Sequence, residues 1–598
     1  MAIVPLKKVS FFGITDKKQA VLEDLQRLGC THLVNLTPGT GDGRPGRGYS
    51  VEAHEAFQYL LACRVQRKPA GDAEPFDFTA VQTETLEVRQ REQELSDERD
   101  ALVKTIEITR PWGEFRLPPE SEHLQLRFWF YVVPHYRIDK LDNPDLVWKV
   151  VARDERYDYV VVIGPQEPEG VPGSRVKLDS RPLSELTRRL AEIDLELERL
   201  HWRRVELTRW CQRIALELAR ADDKAALDHA SLQTLDVSRV FALQGWVPAK
   251  AVEDVERFAH QRNLAILTEN PGPDDAPPTL LDNPELFAGG EATVTFYMTP
   301  AYNMWDPSII VFISFAIFFA MIFADAGYAL LLAGVLGLTW KKLSTTREAI
   351  RMRNLFSAIV LASVVYGILV GSYFGVSPPE DSLLGKLQVL NMQDQGGMMR
   401  LSIIVGVIHI ALANIVTAWR LRRSLTAVAS LGWAAMVVGG LLAGMKVVGD
   451  DSLKCDWPVD LVLLIAGASA VLLFSSARPL SLGAKDLVLR FVDGLLSLTN
   501  ISKAFGDVLS YLRLFALGLA SAQLAVTFNG IAGGVAKSPG IGILAAILIL
   551  IVGHGLNFTL AIIGGVVHGL RLNCIEFFNW SLPEEGYPFE TFCKKASH

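Results

Sequence analysis

Two apolar segments near the end of the chain contain arginines where a lipid-facing helix ordinarily has none. The stretch SYLRLFALGLASAQL sets Arg513 among leucine, phenylalanine and alanine, and Arg571 ends a second apolar run. An arginine at a bilayer centre costs about 2.5–3.5 kcal/mol on insertion scales, so such residues usually line an ion path or face a charged partner. The two arginines therefore predict a fixed positive charge on an ion path. For Arg571 the alternative is a side chain that extends to the nearby membrane surface.

Each arginine belongs to a stripe of small and polar residues spaced by three and four positions, which keeps them on one helix face. The first stripe comprises Gly506, Ser510, Arg513, Ala516, Ala520 and Gln523, and the second comprises His554, Asn557, Ala561, Gly564, His568 and Arg571. Small residues alone would indicate close helix packing, and a neutral histidine can be a packed residue too. Because packing does not explain two arginines, the stripes favour ion translocation.

No other pattern predicts a catalytic, nucleotide, cofactor or metal site. Gly41, Gly43 and Gly46 have the G-x-G-x-x-G spacing, but Pro45 interrupts it and the helical pattern resumes only near Val51. A dinucleotide site needs the helix to begin within the glycines, so a flexible loop is expected. The six cysteines include no C-x-x-C pair, which favours reduced thiols. A net charge of −7 without an extended basic face argues against a nucleic-acid partner.

The elements that carry the stripes are expected to be membrane helices. The first 300 of the 598 residues are charge-rich, long apolar runs begin near Ile309, and the mean hydropathy is +0.23. A helical crossing needs about 20 residues. The candidate segments are 306–323, 326–340, 355–375, 400–419, 424–446, 458–475, 500–529 and 541–578. The second is short enough to be a broken or tilted partner of the first. Basic loops after every second segment predict about eight crossings with both termini cytoplasmic, the last two helices being long and tilted.

The charge-rich first 300 residues are predicted to form a soluble α/β arm. Strands are predicted at KKVSFFGIT, THLVNL, HLQLRFWFYVV, YDYVVVIG and VFALQGWVP. Heptad spacing of Val88, Leu95 and Leu102, and two interleaved registers from Leu183 to Leu207, predict a coiled coil. A single solvated amphipathic helix is the alternative. The N-terminus lacks a signal peptide pattern. We therefore expect two α/β lobes joined by a coiled-coil stalk in residues 1–300, an all-α membrane domain in 301–580, and a cytoplasmic tail in 581–598.

Several motifs resemble one family over nearly the whole chain. SYLRLFALGLASAQL, HGLRLNCIEFFNW and GYPFE, together with GWVP, FYMTPAYNMWDPS and FADAGYALL, resemble the membrane-embedded subunit a, or subunit I, of V-type and A-type rotary ATPases. The length is similar to that of prokaryotic members. The resemblance implies a stator in the prokaryotic inner membrane whose cytoplasmic half docks to peripheral stalks. Its membrane half would flank a ring of c subunits and couple H⁺ or Na⁺ translocation through two offset half-channels to ring rotation.

The resemblance also implies roles for individual residues. Arg513 would face the ring carboxylate and favour its ionised form, Arg571 would support the same site, and His568 would belong to the path. Asp325 matches an aspartate of the family's GDxGxG motif and is expected either to line the outer access path or to have a structural role. Where eukaryotic relatives carry a glutamate and a histidine, this chain has Ala561 and Ser521. The outer half-channel would then use other groups, for which the candidates are Ser521, Gln523, Asn557 and His554.

The implied partners are the c-ring proteolipids, peripheral-stalk E/G-type subunits, a central-stalk d/C-type subunit, the catalytic A and B subunits and the lipid bilayer. This chain itself would hold no nucleotide and no cofactor. A secondary ion transporter with a cytoplasmic regulatory domain is the main alternative, although the repeated halves typical of such folds are not evident. A scaffold without ion conduction is disfavoured by the arginines. The choices between H⁺ and Na⁺, and between pump and synthase, stay open.

Overall fold

The computed structural model describes residues 3–37, 48–71, 73–116, 127–141, 146–379, 381–391, 394–447, 458–478 and 484–595. The glycine motif at 41–46 and Cys455 lie outside these ranges. The chain divides into two compact units. The first comprises Met1–Phe12, Cys30–Val34 and Gln244–Thr591, and the second comprises Gly13–Gly29, Asn35–Leu243 and Phe592–His598. The domain limits set out from the sequence stay predictions.

The strands and helices are described in chain order. The strands are β1 (Leu6–Ile14), β2 (His32–Val34), β3 (Arg127–Pro134), β4 (Val147–Arg153), β5 (Tyr157–Gly164), β6 (Ser174–Val176), β7 (Leu235–Val237), β8 (Val240–Pro248), β9 (Ala265–Glu269), β10 (Thr299–Pro300) and β11 (Glu585–Gly586). The helices of the first half are α1 (Lys18–Leu28), α2 (Val51–Leu61), α3 (Phe78–Thr109), α4 (Leu183–Leu207), α5 (Cys211–Gln233), α6 (Val252–Gln261) and α7 (Gly289–Thr295). Those of the second half are α8 (Ser308–Phe323), α9 (Ala326–Thr339), α10 (Arg347–Val370), α11 (Leu383–Lys386), α12 (Gln395–Arg420), α13 (Thr426–Val447), α14 (Val459–Phe474), α15 (Ala484–Leu498), α16 (Ile501–Ser510), α17 (Leu512–Val535), α18 (Gly542–Arg571) and α19 (Phe578–Ser581).

The α/β character of the first half is confirmed by two sheets. One has the strand order β2-β8-β1-β9, and the other has the order β4-β5-β3-β6. In the second sheet β5 lies between β4 and β3, and its inward residues Val160 and Val162 are fully buried. Alternation of buried and partly exposed residues along β5 is the period-two pattern of a strand with one covered face.

Helices α3 and α4 pack against each other in the second unit. Their shared core comprises Leu95, Leu102, Ile106, Leu186 and Ile193, which are the heptad positions and their neighbours. Ion pairs join Arg91 to Glu196 and, further along α3, Glu98 to Arg189. The residue numbers of the partners in α4 decrease from 196 to 189 as those in α3 increase from 91 to 98, so the two helices run antiparallel. Whether this pair acts as a stalk stays a prediction.

The second half is helical and strongly apolar. Within the described residues, five helical stretches are long and apolar enough to cross a membrane, and three shorter apolar helices accompany them. The five are Arg347–Val370, Gln395–Arg420, Thr426–Val447, Lys485–Val535 and Gly542–Ser581, and the shorter ones are Ser308–Phe323, Ala326–Thr339 and Val459–Phe474. Each of them overlaps one of the eight predicted segments, while the number of crossings stays a prediction.

One stretch differs from its expectation. The sequence predicts a basic loop at SARPLSLGAKDLVLR, residues 476–490. The structure instead has a helix, α15, at Ala484–Leu498. Leu487, Phe491 and Leu495 recur at intervals of four and lie on one face. This amphipathic spacing explains the helix, which extends the helical run leading to Arg513.

Helix α8 is the centre of the apolar, helical second half. It is apolar all round, and twelve of its sixteen residues are buried, as expected for a helix surrounded by others. One core cluster joins α8 to α12, α13, α16 and α17, and a second joins it to α9, α10 and α18. The arginine-bearing helices α17 and α18 are therefore held together against one buried helix.

Candidate functional site

Arg513 and Arg571, the two arginines that the sequence analysis predicts to lie on an ion path, face one buried carboxylate. The Oε1 atom of Glu576 lies 3.9 Å from Nη1 of Arg513 and 3.7 Å from Nε of Arg571. The side chain of Glu576 is 2% exposed, that of Arg513 23% and that of Arg571 50%. We call these three residues the arginine cluster. It combines two positive charges with one negative charge inside an apolar helical region.

A local change in helix geometry positions Glu576. Residues Leu572–Phe577 form a π-helical turn directly after α18. The amide of Asn573 within this turn donates to the carbonyl of Gly569 at 3.0 Å and accepts from the hydroxyl of Ser314 at 2.5 Å. The turn is thus anchored on α8. Such turns occur often at functional sites.

The arginine cluster retains unused hydrogen-bonding capacity. Among the described residues, Nη1 of Arg513, Oε2 of Glu576 and Nδ1 of His568 are buried without a hydrogen-bond partner. The Arg–Glu distances exceed the 2.7–3.2 Å typical of N–H···O bonds. His568 lies within electrostatic reach of both arginines. A buried unpaired polar atom is costly, so the cluster is suited to receive a charged group from outside the chain.

A second polar cluster surrounds the hydroxyl of Tyr328 in α9. That oxygen lies 2.7 Å from Nδ1 of His554 and accepts from the amide of Asn557 at 3.1 Å. The same amide donates to the carbonyl of Ser521 at 2.8 Å, and the hydroxyl of Ser521 donates to Oδ1 of Asn557 at 3.2 Å. Nε2 of His554 lies 3.0 Å from Oδ1 of Asn529. We call these five residues the tyrosine cluster.

The bonds of the tyrosine cluster assign one tautomer to His554. Because the amide oxygen of Asn529 can only accept, Nε2 of His554 is the donor in that bond. In a neutral ring Nδ1 then accepts from the hydroxyl of Tyr328. The result is a continuous chain of donors and acceptors across α9, α17 and α18, the kind of arrangement that can pass a proton or solvate a cation.

Asp325 lies between α8 and α9 and is fully engaged. Its carboxylate accepts from the backbone N–H groups of Tyr328, Phe374 and Gly375, each at 3.0 Å, and from the hydroxyl of Ser372 at 2.7 Å. Ala324, Phe374 and Gly375 have φ values of 45°, 54° and 74°, a region that is unfavourable for the first two residues. The carboxylate thus ties together two left-handed turns. Its four local bonds favour the structural alternative for this residue.

The structure separates the other candidates. The α18 stripe is buried at its middle, at Asn557 and Ala561, and exposed at its end. His554, Gly564 and His568 are half-buried, and Arg571 is exposed. On α17 the open face instead carries Ala516, Ala520 and Gln523. Gln523 therefore belongs to neither cluster. The clusters are separate, since the 14 residues from Asn557 to Arg571 correspond to about 21 Å along a helix.

Three residues of these clusters escaped the sequence reasoning. Glu576 stood within the motif HGLRLNCIEFFNW, and its acidic character in an apolar run was the available signal. Tyr328 and Asn529 gave no signal, because their partners are remote in sequence. Among the described residues, no three His, Cys, Asp or Glu side chains come together as a possible metal site.

Comparison with known proteins places the chain among named relatives, although no family model matches it. A V-type ATP synthase subunit I of Chlamydia muridarum is 27% identical over 584 residues, which cover 84% of this chain and 86% of the relative. One of Borreliella burgdorferi is 23% identical over 96% of this chain and 97% of its own. An A-type ATP synthase subunit I of Methanocaldococcus jannaschii is 28% identical over 73% of this chain and 65% of its own. The crystal structure of the cytoplasmic N-terminal domain of subunit I, homolog of subunit a, of V-ATPase aligns with 44% of this chain and 99% of its own, at 18% identity and a TM-score of 0.23.

Proposed function

We propose that this chain, a homologue of proteins named V-type and A-type ATP synthase subunit I, is the ion-translocating stator subunit of a rotary ATPase. The membrane half would form two ion half-channels against a ring of c subunits. The α/β half would dock to peripheral stalks. The observation that carries the proposal is the arginine cluster. In it, Arg513 lies on an apolar helix, and its buried Nη1 has no hydrogen-bond partner among the described residues.

The open face of α17 is the surface offered to the ring. Ala516 and Ala520 on this face are small and exposed, and small residues allow two membrane helices to approach closely. Arg513 lies on the same stripe. A ring helix seated there would bring its carboxylate to the unused donors of Arg513.

The electrostatics of such a contact give the mechanism. A guanidinium stays protonated, so it favours the ionised form of a facing carboxylate. The ring carboxylate would release its ion at Arg513 before rotating on to bind another. The same fixed charge repels cations and keeps the half-channels from connecting directly.

The two polar clusters would serve opposite half-channels. With both termini cytoplasmic, the tyrosine cluster lies in the outer half of the membrane and the arginine cluster in the inner half. Tyr328, His554, Asn557, Ser521 and Asn529 would line the outer access path, with Asp325 holding the loop beside it. His568 and Arg571 would line the inner side, and Gln523 would face the ring.

The further partners follow from the same assignment. They are E/G-type peripheral-stalk subunits, a d/C-type central-stalk subunit and the catalytic A and B subunits, in a prokaryotic inner membrane. The ion is H⁺ or Na⁺. Co-purification of the intact complex with a proteolipid ring and the A and B subunits separates this function from a secondary transporter, which would purify without them.

Substitution of Arg513 tests the mechanism. Arg513→Gln and Arg513→Lys are expected to abolish ATP-driven ion uptake by reconstituted complex while leaving assembly intact. Lysine fails because its flexible ammonium lacks the planar fork of a guanidinium. Arg400→Gln is the matched control, because Arg400 is an arginine of another apolar helix, α12, and belongs to neither cluster. Wild-type uptake by Arg513→Gln would refute the proposed function.

The outer half-channel has its own test. Tyr328→Phe removes the hydroxyl that joins His554 to Asn557, so we expect a several-fold loss of ion transport at unchanged assembly. Tyr373→Phe is the control, because the hydroxyl of Tyr373 is buried without a hydrogen-bond partner among the described residues. Equal transport by both variants would exclude the tyrosine cluster from the path.

A further inference from the structure

We propose that Glu576 is the resident counter-ion of Arg513 and Arg571, which sets the net charge that a carboxylate of a partner subunit meets at this site. The inference rests on the proposed function and extends it to a positioning residue. Glu576 would act through Arg513 and would not itself carry the ion.

The geometry shows attraction without a completed bond. Oε1 of Glu576 lies between guanidinium groups of two different helix segments, at 3.9 Å and 3.7 Å. Oε2 of the same carboxylate and Nη1 of Arg513 have no hydrogen-bond partner among the described residues. An ion pair locked for structure would be shorter and often bidentate. This one stabilises the buried charges while leaving donors of Arg513 available.

The surroundings leave Glu576 few other partners. Asp507 on α16 accepts from Nε1 of Trp580 at 2.7 Å, and the hydroxyl of Tyr511 lies 2.7 Å from Nδ1 of His409 on α12. Asp507 and Tyr511 are within electrostatic reach of Glu576, and His409 stacks on Phe577. Among the described residues of α18 and the π-helical turn, Cys574 is within electrostatic reach of Glu576, and His568 is within reach of both arginines. A carboxylate that is 2% exposed needs a nearby positive charge, which the two arginines supply.

Charge balance gives Glu576 a consequence for the ion. Two arginines and one glutamate leave one net positive charge, which matches one arriving carboxylate. Without the charge of Glu576 that carboxylate would meet two positive charges and would hold H⁺ or Na⁺ less tightly. The effect of one unit charge at about 10 Å, with an effective dielectric constant near 20, corresponds to about a tenfold change in ion affinity.

The test compares Glu576→Gln, Glu576→Asp, Arg571→Gln and the double variant Glu576→Gln/Arg571→Gln in the purified, reconstituted complex. The readout is the ion concentration that gives half-maximal ATP-driven uptake, in pH for H⁺ or in millimolar for Na⁺. Glu576→Gln should raise this half-saturating ion concentration by about tenfold, which for a proton carrier is a shift of one pH unit towards acid. Arg571→Gln should lower the half-saturating concentration. The double variant and Glu576→Asp should return to within about threefold of the wild type, because they restore the net charge.

A merely structural Glu576 would give a different pattern. Glu576→Gln would then reduce maximal uptake or assembly without moving the half-saturating concentration, and Arg571→Gln would not correct it. If Glu576→Gln fails to assemble while the double variant assembles, the charge account is supported, and if both fail alike it is overturned. Arg513→Gln in the same assay separates the two proposals. Loss of uptake there, with no shift in the Glu576 variants, would overturn only this inference.

Discussion

Asp325 is the residue for which the structure makes the sharpest distinction between an ion path and a scaffold. In Asp325→Asn one carboxylate oxygen becomes an NH₂ group of nearly the same size. If the remaining oxygen accepts from Tyr328 and Phe374, the new NH₂ faces the N–H of Gly375 and the hydroxyl of Ser372. The hydroxyl can turn to accept, but the N–H of Gly375 is stranded.

The size of the effect follows from these four bonds. A stranded buried donor costs about 1–3 kcal/mol, and the remaining bonds weaken because a neutral amide replaces a charged acceptor. The loop that joins α10 to residue 376 should therefore lose about 2–4 kcal/mol against local opening. The opened state nonetheless stays rare, so ion transport per assembled complex should remain within about twofold of the wild type.

Hydrogen exchange measured by mass spectrometry in lipid nanodiscs reports that opening. The amides of Phe374 and Gly375 should exchange about 30- to 1,000-fold faster in Asp325→Asn, since 1.4 kcal/mol is a factor of ten. The matched control is Asp394→Asn. The side chain of Asp394 caps α12 by accepting from the N–H of Gly397 at an exposed position, and asparagine caps as well as aspartate. Unchanged exchange together with a large loss of transport would refute this reasoning and place the Asp325 carboxylate on the ion path.

Three further outcomes test other parts of the molecule. Leu95→Ala should destabilise the α3–α4 pair by about 2–5 kcal/mol, because Leu95 is fully buried. Glu98→Gln should cost less than about 1 kcal/mol, because the ion pair of Glu98 with Arg189 is solvent-exposed. Hydrogen exchange of the α3 amides measures both effects. The hydrogen bond to Asp158 raises the pKa of His135, so the stabilisation of the β3–β5 sheet by this bond is complete below the ordinary histidine pKa and is lost as pH rises through the raised pKa. In Asp158→Asn, the pKa of His135 measured by NMR titration should fall back towards about 6.5. An unchanged titration would contradict the assignment. In Ala520→Cys, the new cysteine should form disulfide cross-links with cysteines placed on a ring helix. In Ala525→Cys it should not, because Ala525 is buried inside the chain. Equal cross-linking by both variants would place the ring on another face of α17.

The helices of the membrane half could be located from sequence because the signal is local. About 20 apolar residues must be consecutive to cross a bilayer, and no distant contact is needed to read that run. Helix α15 was missed because its apolar residues Leu487, Phe491 and Leu495 are interspersed with charges. The sequence signal for α15 is the spacing of its apolar residues at intervals of four, not a long uninterrupted apolar run. Arg513 and Arg571 were found for the same local reason, since each charge interrupts an apolar run.

The partners of those charges required the fold. Tyr328 and His554 meet across 226 positions, and no periodicity relates residues on different helices. Glu576 was hidden by regular helix geometry, in which residues five apart, such as Arg571 and Glu576, are separated by about 140° around the axis. A π-helical turn has its hydrogen bonds between residues five apart. The turn at Leu572–Phe577 therefore brings Glu576 to the side of Arg571.

The acidic partner of Arg513 shows why proximity in sequence is a poor guide here. Asp507 precedes Arg513 by six positions and is the nearest carboxylate along the chain, yet its side chain is bonded to Trp580. Glu576 lies 63 positions away and is the carboxylate within ion-pair distance of Arg513 among the described residues. An arginine that is costly in lipid needs a negative charge within a few ångströms. The sequence can state that need, but only the packing of α17 against α18 and the π-helical turn determines which carboxylate meets it.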